Sequence, residues 1–172
     1  MVQIHAHWGG SEGRGSEHWI DGISYDAEIH IVHYNTKYNS AGDAFDKEDG
    51  LAVLGMLVRV GEQEHPELQK ICEKLPEVEN PFEKTQLETP VDVAALLPKN
   101  RSFFTYPGSL TTPPLYESVT WTLFSDPIEV SRSQLAAMRA LKTGSAQKKN
   151  CLADNFRPPC SLMQRKIKKC CR

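Results

Sequence analysis

The chain has 172 residues and a formal net charge of −2, a length and a balance that suit one soluble domain. Hydrophobic residues make up 40% and charged residues 24%, which is typical of globular proteins and argues against disorder. The longest apolar run, residues 51–58, is far shorter than the roughly 20 residues of a membrane-spanning helix, and no charged-then-apolar leader opens the chain. We therefore expect neither a membrane span nor a signal peptide.

The hydrophobic pattern predicts a mostly β chain. In chain order it predicts strands over 2–8, 25–34 and 51–60, a helix over 67–75, a loop over 79–102 with one turn at 93–97, strands over 103–106 and 118–124, and a helix over 131–141. The third strand is almost continuously apolar, which indicates cover on both faces. The strands and helices do not alternate regularly, so the class is a mixed α/β, mostly β single domain.

Basic residues concentrate after residue 142, where Asp154 is the only acidic residue. Such a segment can bind nucleic acid or acidic lipid, but it is more often a solvated end, so we expect no nucleic-acid partner. The chain divides into a domain over residues 1–160 and a basic, Cys-containing tail over 161–172. The five cysteines lack the paired spacing of a structural zinc site, and we interpret them as reduced thiols.

Two predicted strands carry the residues that suggest chemistry. His5 and His7 share one face of the first strand, and Glu28 and His30 share one face of the second. If these strands are neighbours with the faces aligned, three imidazoles converge, the protein-ligand count of a catalytic zinc site with a fourth position for water. Gln3 and Glu28 then suit hydrogen bonds to the outer ring nitrogens. The alternative is an ordinary pair of histidines, because His-x-His alone is a weak signal.

The other three histidines receive separate interpretations. His33 lies on the face of its strand opposite His30, which favours a hydrogen-bonded core residue. His65 lies in a charged turn before Pro66 and is expected to be solvated. The spacing of His18, directly after Glu17, predicts no role.

Five motifs, in the same order along the chain, resemble the alpha-class carbonic anhydrases. They are residues 3–9 (QIHAHWG), 15–18 (GSEH), 27–30 (AEIH), 50–55 (GLAVLG) and 106–114 (YPGSLTTPP). Residues 118–121 and 154–158 also match, so the resemblance spans residues 2 to about 160. The tail alone is unlike the family.

The resemblance implies a single domain on a large, twisted, mainly antiparallel sheet. It also implies zinc-dependent, reversible hydration of CO2 to bicarbonate and a proton by zinc-bound hydroxide. Zinc lowers the pKa of its bound water to about 7, a value established for carbonic anhydrase itself. The implied partner is this small-molecule substrate, and the resemblance does not specify an oligomeric state.

The resemblance also assigns residues. It makes His5, His7 and His30 the zinc ligands, supported by Gln3, Glu28 and a backbone carbonyl near Asn155. The Thr111 hydroxyl would donate a hydrogen bond to Glu17 and so orient the nucleophile, and Thr112 would contact bicarbonate. An apolar wall for CO2 would comprise Val32, Val53, Leu110, Val119 and Trp121, although each also suits an ordinary core. The Pro113–Pro114 bond corresponds to a cis bond in the family.

The resemblance has one large gap. Family domains run to about 250 residues, whereas this chain begins at the zinc strand, so roughly the amino-terminal third, including the proton-shuttling histidine, has no counterpart. An uncovered strand edge would favour pairing with a partner. We expect hydration limited by proton release, with two alternatives: a noncatalytic carbonic-anhydrase-related binding protein, or an inactive partial product. Leu115 replaces a cysteine common in secreted members, which favours the cytoplasm, although a secreted chain without its leader would look the same.

Overall fold

A computed structural model describes residues 1–144 and 150–171; Arg172, the last residue of the predicted tail, lies outside them. The strands are β1 (Gln3–Trp8), β2 (Ala27–Tyr34), β3 (Leu51–Gly61), β4 (Phe103–Gly108), β5 (Val119–Phe124), β6 (Ile128–Ser131), β7 (Lys142–Thr143), β8 (Asn150–Cys151) and β9 (Lys168–Cys170). The helices are α1 (Ala41–Ala44), α2 (Pro66–Cys72), α3 (Val93–Leu96) and α4 (Arg132–Ala140), with a 3-10 helix at Leu75–Val78.

Seven strands form one large mixed sheet. Its order is β1-β2-β3-β5-β4-β9, and β6 pairs with β3 beyond the end of β5. The pairs of β3 with β5 and β6 are parallel, and the other pairs in this sheet are antiparallel. This confirms a mostly β single domain with a large sheet and few short helices, in which β1 forms one edge.

Strand β3 is covered on both faces, as its apolar run predicts. On one face Met56 and Val58 join a core cluster with Leu135 of α4. On the other face Val53 packs in a second cluster with Trp121. Because successive residues of a strand point to opposite faces, one apolar strand contributes to both clusters.

The principal helices and strands were predicted to within a few residues, but several short elements were not. The predicted helix over 67–75 ends early, at Cys72, and a 3-10 helix follows from Leu75, where Pro76 has no N–H for an α-helical hydrogen bond. Strand β9 falls in the predicted tail and pairs with β4. The elements without a prediction are α1, the 3-10 helix, β6, β7, β8 and β9. No helix among the described residues is long and apolar enough to span a membrane.

The start of α4 is joined to the start of α2 by one buried amide. Ser131 and Gln134 form a capping box at α4, in which Gln134 Oε1 accepts from the Ser131 N–H at 3.1 Å. The same side chain accepts from the N–H of His65 and donates to its carbonyl, both at 2.9 Å. Gln134 is 2% exposed, so water cannot replace these bonds.

Replacing Gln134 with alanine is therefore expected to destabilise the fold. The free energy of unfolding should fall by about 1–3 kcal/mol, the cost of leaving one buried donor without a partner. Urea unfolding followed by circular dichroism measures the change. Gln86 is exposed, so Gln86→Ala is the matched control and should change the same quantity by less than about 0.5 kcal/mol. Equal effects of the two substitutions would contradict this role.

Two histidine interpretations need correction. His65 is only partly solvated: it lies at the N-cap of α2, its Nδ1 is buried, and burial lowers its pKa. His33 has the predicted strand parity, but it is half-buried rather than a core residue. It pairs with Ala52, an exposed position of β3, so this part of the sheet is only partly covered.

Candidate metal centre

The pairing of β1 with β2 brings three imidazoles together. His5 lies directly opposite His30, and His7 lies opposite Glu28. Directly opposed residues of antiparallel strands share a face, so the rings meet with centroids 4.9–5.1 Å apart. One ring nitrogen from each histidine lies within 4.8 Å of the other two, an arrangement that could hold a metal ion. The spacing therefore predicted correctly that His5, His7 and His30 converge.

The outer ring nitrogens of two histidines are held by hydrogen bonds. His7 Nδ1 lies 2.9 Å from the carbonyl oxygen of Asn155, and His30 Nε2 lies 2.7 Å from Glu28 Oε1. Both partners are acceptors, so these nitrogens carry the protons and donate. His7 Nε2 and His30 Nδ1 consequently keep their lone pairs for a metal.

A buried atom at the centre supports the fit to a metal. His7 Nε2 has almost no solvent contact and no hydrogen-bond partner among the described residues. His7 as a whole is 4% exposed and His30 is 1% exposed. An unpaired buried acceptor is costly, and a cation at the common point of the three rings would satisfy it.

Glu28 is the most heavily bonded side chain of the site. Its Oε2 accepts from the backbone N–H groups of Glu17 and His18, at 2.9 and 2.8 Å. Its Oε1 lies 2.6 Å from His18 Nδ1 and 2.7 Å from His30 Nε2. Burial alone would raise the pKa of this carboxyl, but His18 and His30 hold the pKa well below its usual range. Glu28 therefore remains ionised although it is fully buried.

His18 is a site residue for which spacing predicted no role. Its Nδ1 contacts Glu28, and its Nε2 lies 2.5 Å from the hydroxyl oxygen of Tyr106. Burial works against the charged form of His18, but the Glu28 carboxylate holds the pKa of the imidazole above its ordinary value. His18 and His30 thus contact the same oxygen of Glu28, and His18 helps to hold this carboxylate in place. His18 lies in a loop, where the alternation of strand residues gives no side-chain direction.

Gln3 does not make the contact expected of it. His5 Nδ1 is buried and has no hydrogen-bond partner among the described residues, while Gln3 is exposed at the start of the edge strand. Holding a long amide side chain in one rotamer costs entropy, and an edge strand offers little packing to offset that cost. Of the three histidines, His5 therefore has the least support for its outer nitrogen.

Glu17 lies beside His7, and Glu17 and Thr111 line one cavity of 540 Å³. Glu17 Oε1 accepts from the N–H of Arg157 at 2.7 Å, and Oε2 is 3.5 Å from His7 Nε2. Oε2 is buried without a hydrogen-bond partner among the described residues, so the expected bond from Thr111 to this atom is not formed. Thr111 is half-buried, and Thr112 is exposed. The Pro113–Pro114 bond that follows them is cis.

The expected apolar wall forms one cluster on the imidazole side of the sheet. Trp121 contacts His30, with the ring centroids 4.7 Å apart. The buried members of the cluster include Val32, Val53, Val119 and Trp121, and Leu110 packs against them. The structure thus places a dry surface beside the three imidazoles.

Burial keeps His5 neutral. Burial and the neighbouring His30 and His7 lower the pKa of His5 from 6.5 to about 4. Between these values the unfolded chain binds a proton at this residue and the folded chain does not, so His5 makes the metal-free fold less stable as the pH falls from 6.5 to about 4. Above pH 6.5 its contribution is zero.

This pH dependence is a testable prediction. In metal-free chain, the free energy of unfolding should fall more steeply between pH 6.5 and about 4 than in a His5→Gln variant, because glutamine does not titrate. Urea unfolding at several pH values with chelator present measures both slopes. Parallel slopes would mean that the pKa of His5 is not lowered by the fold.

The comparison with known families agrees with this geometry. The model of the eukaryotic-type carbonic anhydrases matches residues 1–171. The family comprises lyases that hydrate CO2, a small-molecule substrate, and it is zinc-dependent in general. The large mixed sheet with few short helices is consistent with that fold. The chain therefore belongs to the eukaryotic-type carbonic anhydrases.

Proposed function

We propose that His5, His7 and His30 hold one Zn²⁺ and that the chain hydrates CO2 to bicarbonate. One observation carries the proposal: three imidazole nitrogens meet within 4.8 Å. Two of them have lone pairs directed inward by hydrogen bonds at the opposite ring nitrogen. When bound, zinc supplies a Lewis acid that lowers the pKa of a coordinated water to about 7, a value established for carbonic anhydrase itself.

The chain's own residues fix the ligands in the form that a metal requires. The carbonyl of Asn155 and the carboxylate of Glu28 accept the outer protons of His7 and His30, which selects one tautomer for each ring. His5 needs no such partner to stay neutral, since burial lowers its pKa to about 4. Each of the three rings can thus direct one nitrogen lone pair to a common metal ion.

The apolar cluster supplies the place for CO2. CO2 is nonpolar, and Val32, Val53, Val119, Trp121 and Leu110 present a dry surface next to His30. Glu17 Oε2 lies 3.5 Å from His7 Nε2 and accepts no hydrogen bond from the described residues. We assign Thr111 as its donor in the working site, which leaves the hydroxyl oxygen to accept from the attacking water. Thr112, exposed at the same loop, is assigned to contact the bicarbonate product.

The proposal is tested by loading the purified chain with Zn²⁺ and measuring bound metal and CO2 hydration by stopped-flow with a pH indicator. We expect about one zinc per chain and a hydration rate above that of buffer. A folded chain that holds zinc without hydrating CO2 would favour a noncatalytic binding protein. Thermal unfolding with and without chelator identifies an inactive partial product, which would not be stabilised by zinc.

Proton release is expected to limit turnover. Of the remaining histidines, His18 is committed to Glu28 and Tyr106, His65 lies at the start of α2 with its Nδ1 buried, and His33 lies on the opposite face of β2. None is free to carry protons from the site, so the hydration rate should rise with the concentration of imidazole buffer. A fast rate that is independent of buffer would contradict this expectation.

A further inference from the structure

The 540 Å³ cavity beside the metal centre is larger than CO2 requires. A volume of this size is typical of pockets for small organic molecules, whereas CO2 has only three atoms. Glu17, Thr111 and Trp121 form the side that borders the metal centre. The other walls come from the loop after Glu17, from β4 and from residues 157–169, outside the apolar cluster assigned to CO2.

Aromatic and aliphatic side chains form most of these other walls. Phe104 and Tyr106 of β4 face the cavity, and Trp19 and Ile167 lie at its mouth. Trp19 is 51%, Leu162 40% and Ile167 47% exposed, so three of the large exposed hydrophobic residues border this one cavity. Exposed apolar surface concentrated around a concave site indicates an apolar ligand.

Cations stand around the same opening. Arg165 is held in place by three backbone carbonyls, those of Leu162, Pro107 and Ser161, and its guanidinium lies 5.4 Å from the centre of the Tyr106 ring. Lys169 of β9 lines the cavity beside Phe104, its partner in the strand register. A guanidinium fixed in advance loses little entropy when it binds an anion.

Arg157 supplies a third cation. Its backbone N–H donates to Glu17, whereas its guanidinium makes a single, long hydrogen bond among the described residues, 3.5 Å to the Ser109 hydroxyl. Two acids also line the cavity. The Glu17 carboxylate is committed to Arg157 N–H and lies beside His7, which leaves Asp21 as the exposed acid at the opening. The opening therefore carries an excess of positive charge.

We propose that this cavity is a binding site for small aromatic anions, with the ring between Trp19, Phe104 and Ile167 and the anionic group at Arg157, Arg165 and Lys169. The aromatic walls suit a planar ring, and the cations suit a carboxylate or a sulfonate. None of the three imidazoles lines the cavity, so binding does not require a metal. The site would let an aromatic anion occupy the space next to Thr111 and Glu17.

The test uses 1-naphthoate as the anion and 1-naphthalenemethanol as its neutral counterpart, titrated into the full chain with isothermal calorimetry. We expect 1-naphthoate to bind at least about tenfold more tightly than the alcohol, a difference of about 1.4 kcal/mol. The affinity should be the same in zinc-loaded and metal-free chain. Equal binding of acid and alcohol, or binding of 1-naphthoate only when zinc is present, would overturn the proposal.

A pair of neighbouring lysines provides the matched control. Lys169 faces the cavity, whereas Lys168 points to the opposite face of β9 and does not line it. Lys169→Glu should weaken 1-naphthoate by about tenfold, and Lys168→Glu, with the same change of net charge, should have little effect. Equal weakening by both would indicate nonspecific attraction and overturn the proposal. Thermal unfolding of both variants verifies that each is folded.

Two of the three tryptophans report the location of the ligand by NMR. Trp19 lines the cavity, whereas Trp8 belongs to the other core cluster and donates its indole N–H to the carbonyl of Leu152. In the metal-free chain 1-naphthoate should shift the indole resonance of Trp19 and leave that of Trp8 unchanged. A shift of Trp8 without a shift of Trp19 would place the ligand elsewhere and overturn the proposal.

Discussion

Replacing His30 with alanine is expected to abolish zinc binding and CO2 hydration together. His30 contributes Nδ1 to the common point of the three imidazoles, and two imidazoles with no third ligand make an incomplete site. The loss should exceed the roughly 10–100-fold typical of removing a residue that only supports a ligand. Zinc content by mass spectrometry and stopped-flow hydration measure both effects on the same sample.

Two further variants separate loss of a ligand from loss of folding. His33→Ala changes the same strand on its opposite face and should keep zinc and activity. His5→Ala removes a ligand whose side chain makes ring contacts to His7 and His30 and one polar contact, the 3.3 Å approach of its Nε2 to His30 Nδ1. This variant should therefore fold and still lose zinc. If His5→Ala held about one zinc per chain and hydrated CO2 at the parent rate, the three-histidine site would be wrong.

Substitution of Glu28 is expected to have the second-largest effect. Glu28→Ala leaves four donors in a fully buried region without their acceptor: the N–H groups of Glu17 and His18 and the rings of His18 and His30. Breaking a buried charged pair in this way typically costs about 3–5 kcal/mol of folding free energy. We expect urea unfolding of the metal-free chain to show a loss of this size.

Glu28→Gln separates the contribution of Glu28 to folding stability from its contribution to zinc affinity. A glutamine oxygen can still accept from the N–H groups of Glu17 and His18, but its NH2 group then faces His30 Nε2. His30 would shift its proton to Nδ1, the nitrogen needed by zinc. Zinc affinity, measured by competition with a chromophoric chelator, should therefore fall by about 10–100-fold, with a smaller loss of stability than in Glu28→Ala.

The matched control for this pair is Glu129→Gln. Glu129 is partly exposed and pairs with Arg59, so its substitution should leave zinc affinity unchanged and alter stability by less than about 1 kcal/mol. An unchanged zinc affinity in Glu28→Gln would show that the hydrogen bond to His30 does not set the tautomer of the ligand.

The convergence of the imidazoles followed from the sequence because strand parity is a local property. His5, His7 and His30 occur at alternating positions in two β-rich segments, and the alternation of a strand fixes the face of each side chain without knowledge of the rest of the chain. The register of the two strands was assumed from the pattern, and the pairing of His5 with His30 confirms it.

The hydrogen-bond partners of those histidines could not be predicted from the sequence in the same way. Gln3 has the correct parity, but its side chain is exposed at an edge and makes no bond to His5 Nδ1. His18 has no parity because it lies in a loop, yet it is bonded to Glu28 and Tyr106. Loop backbones have no fixed side-chain direction, so these partners depend on the packing of distant segments.

The short strands could not be predicted for the same reason: they depend on distant segments of the chain. Strand β9 contains Lys168 and Lys169 and has no apolar alternation, and its pairing depends on the free edge of β4 rather than on its own residues. A three-residue strand forms only where a neighbour supplies the hydrogen bonds.

By itself, the sequence determined the β-rich class, the long strands and the strand faces that carry the three histidines, because hydrophobic period and strand parity act between near neighbours. Tertiary structure alone decided that Asn155 holds His7, that His18 braces Glu28, and that Trp19, Arg157 and Lys169 surround one cavity. These contacts join residues far apart in the chain, and their geometry is set by packing rather than by local pattern.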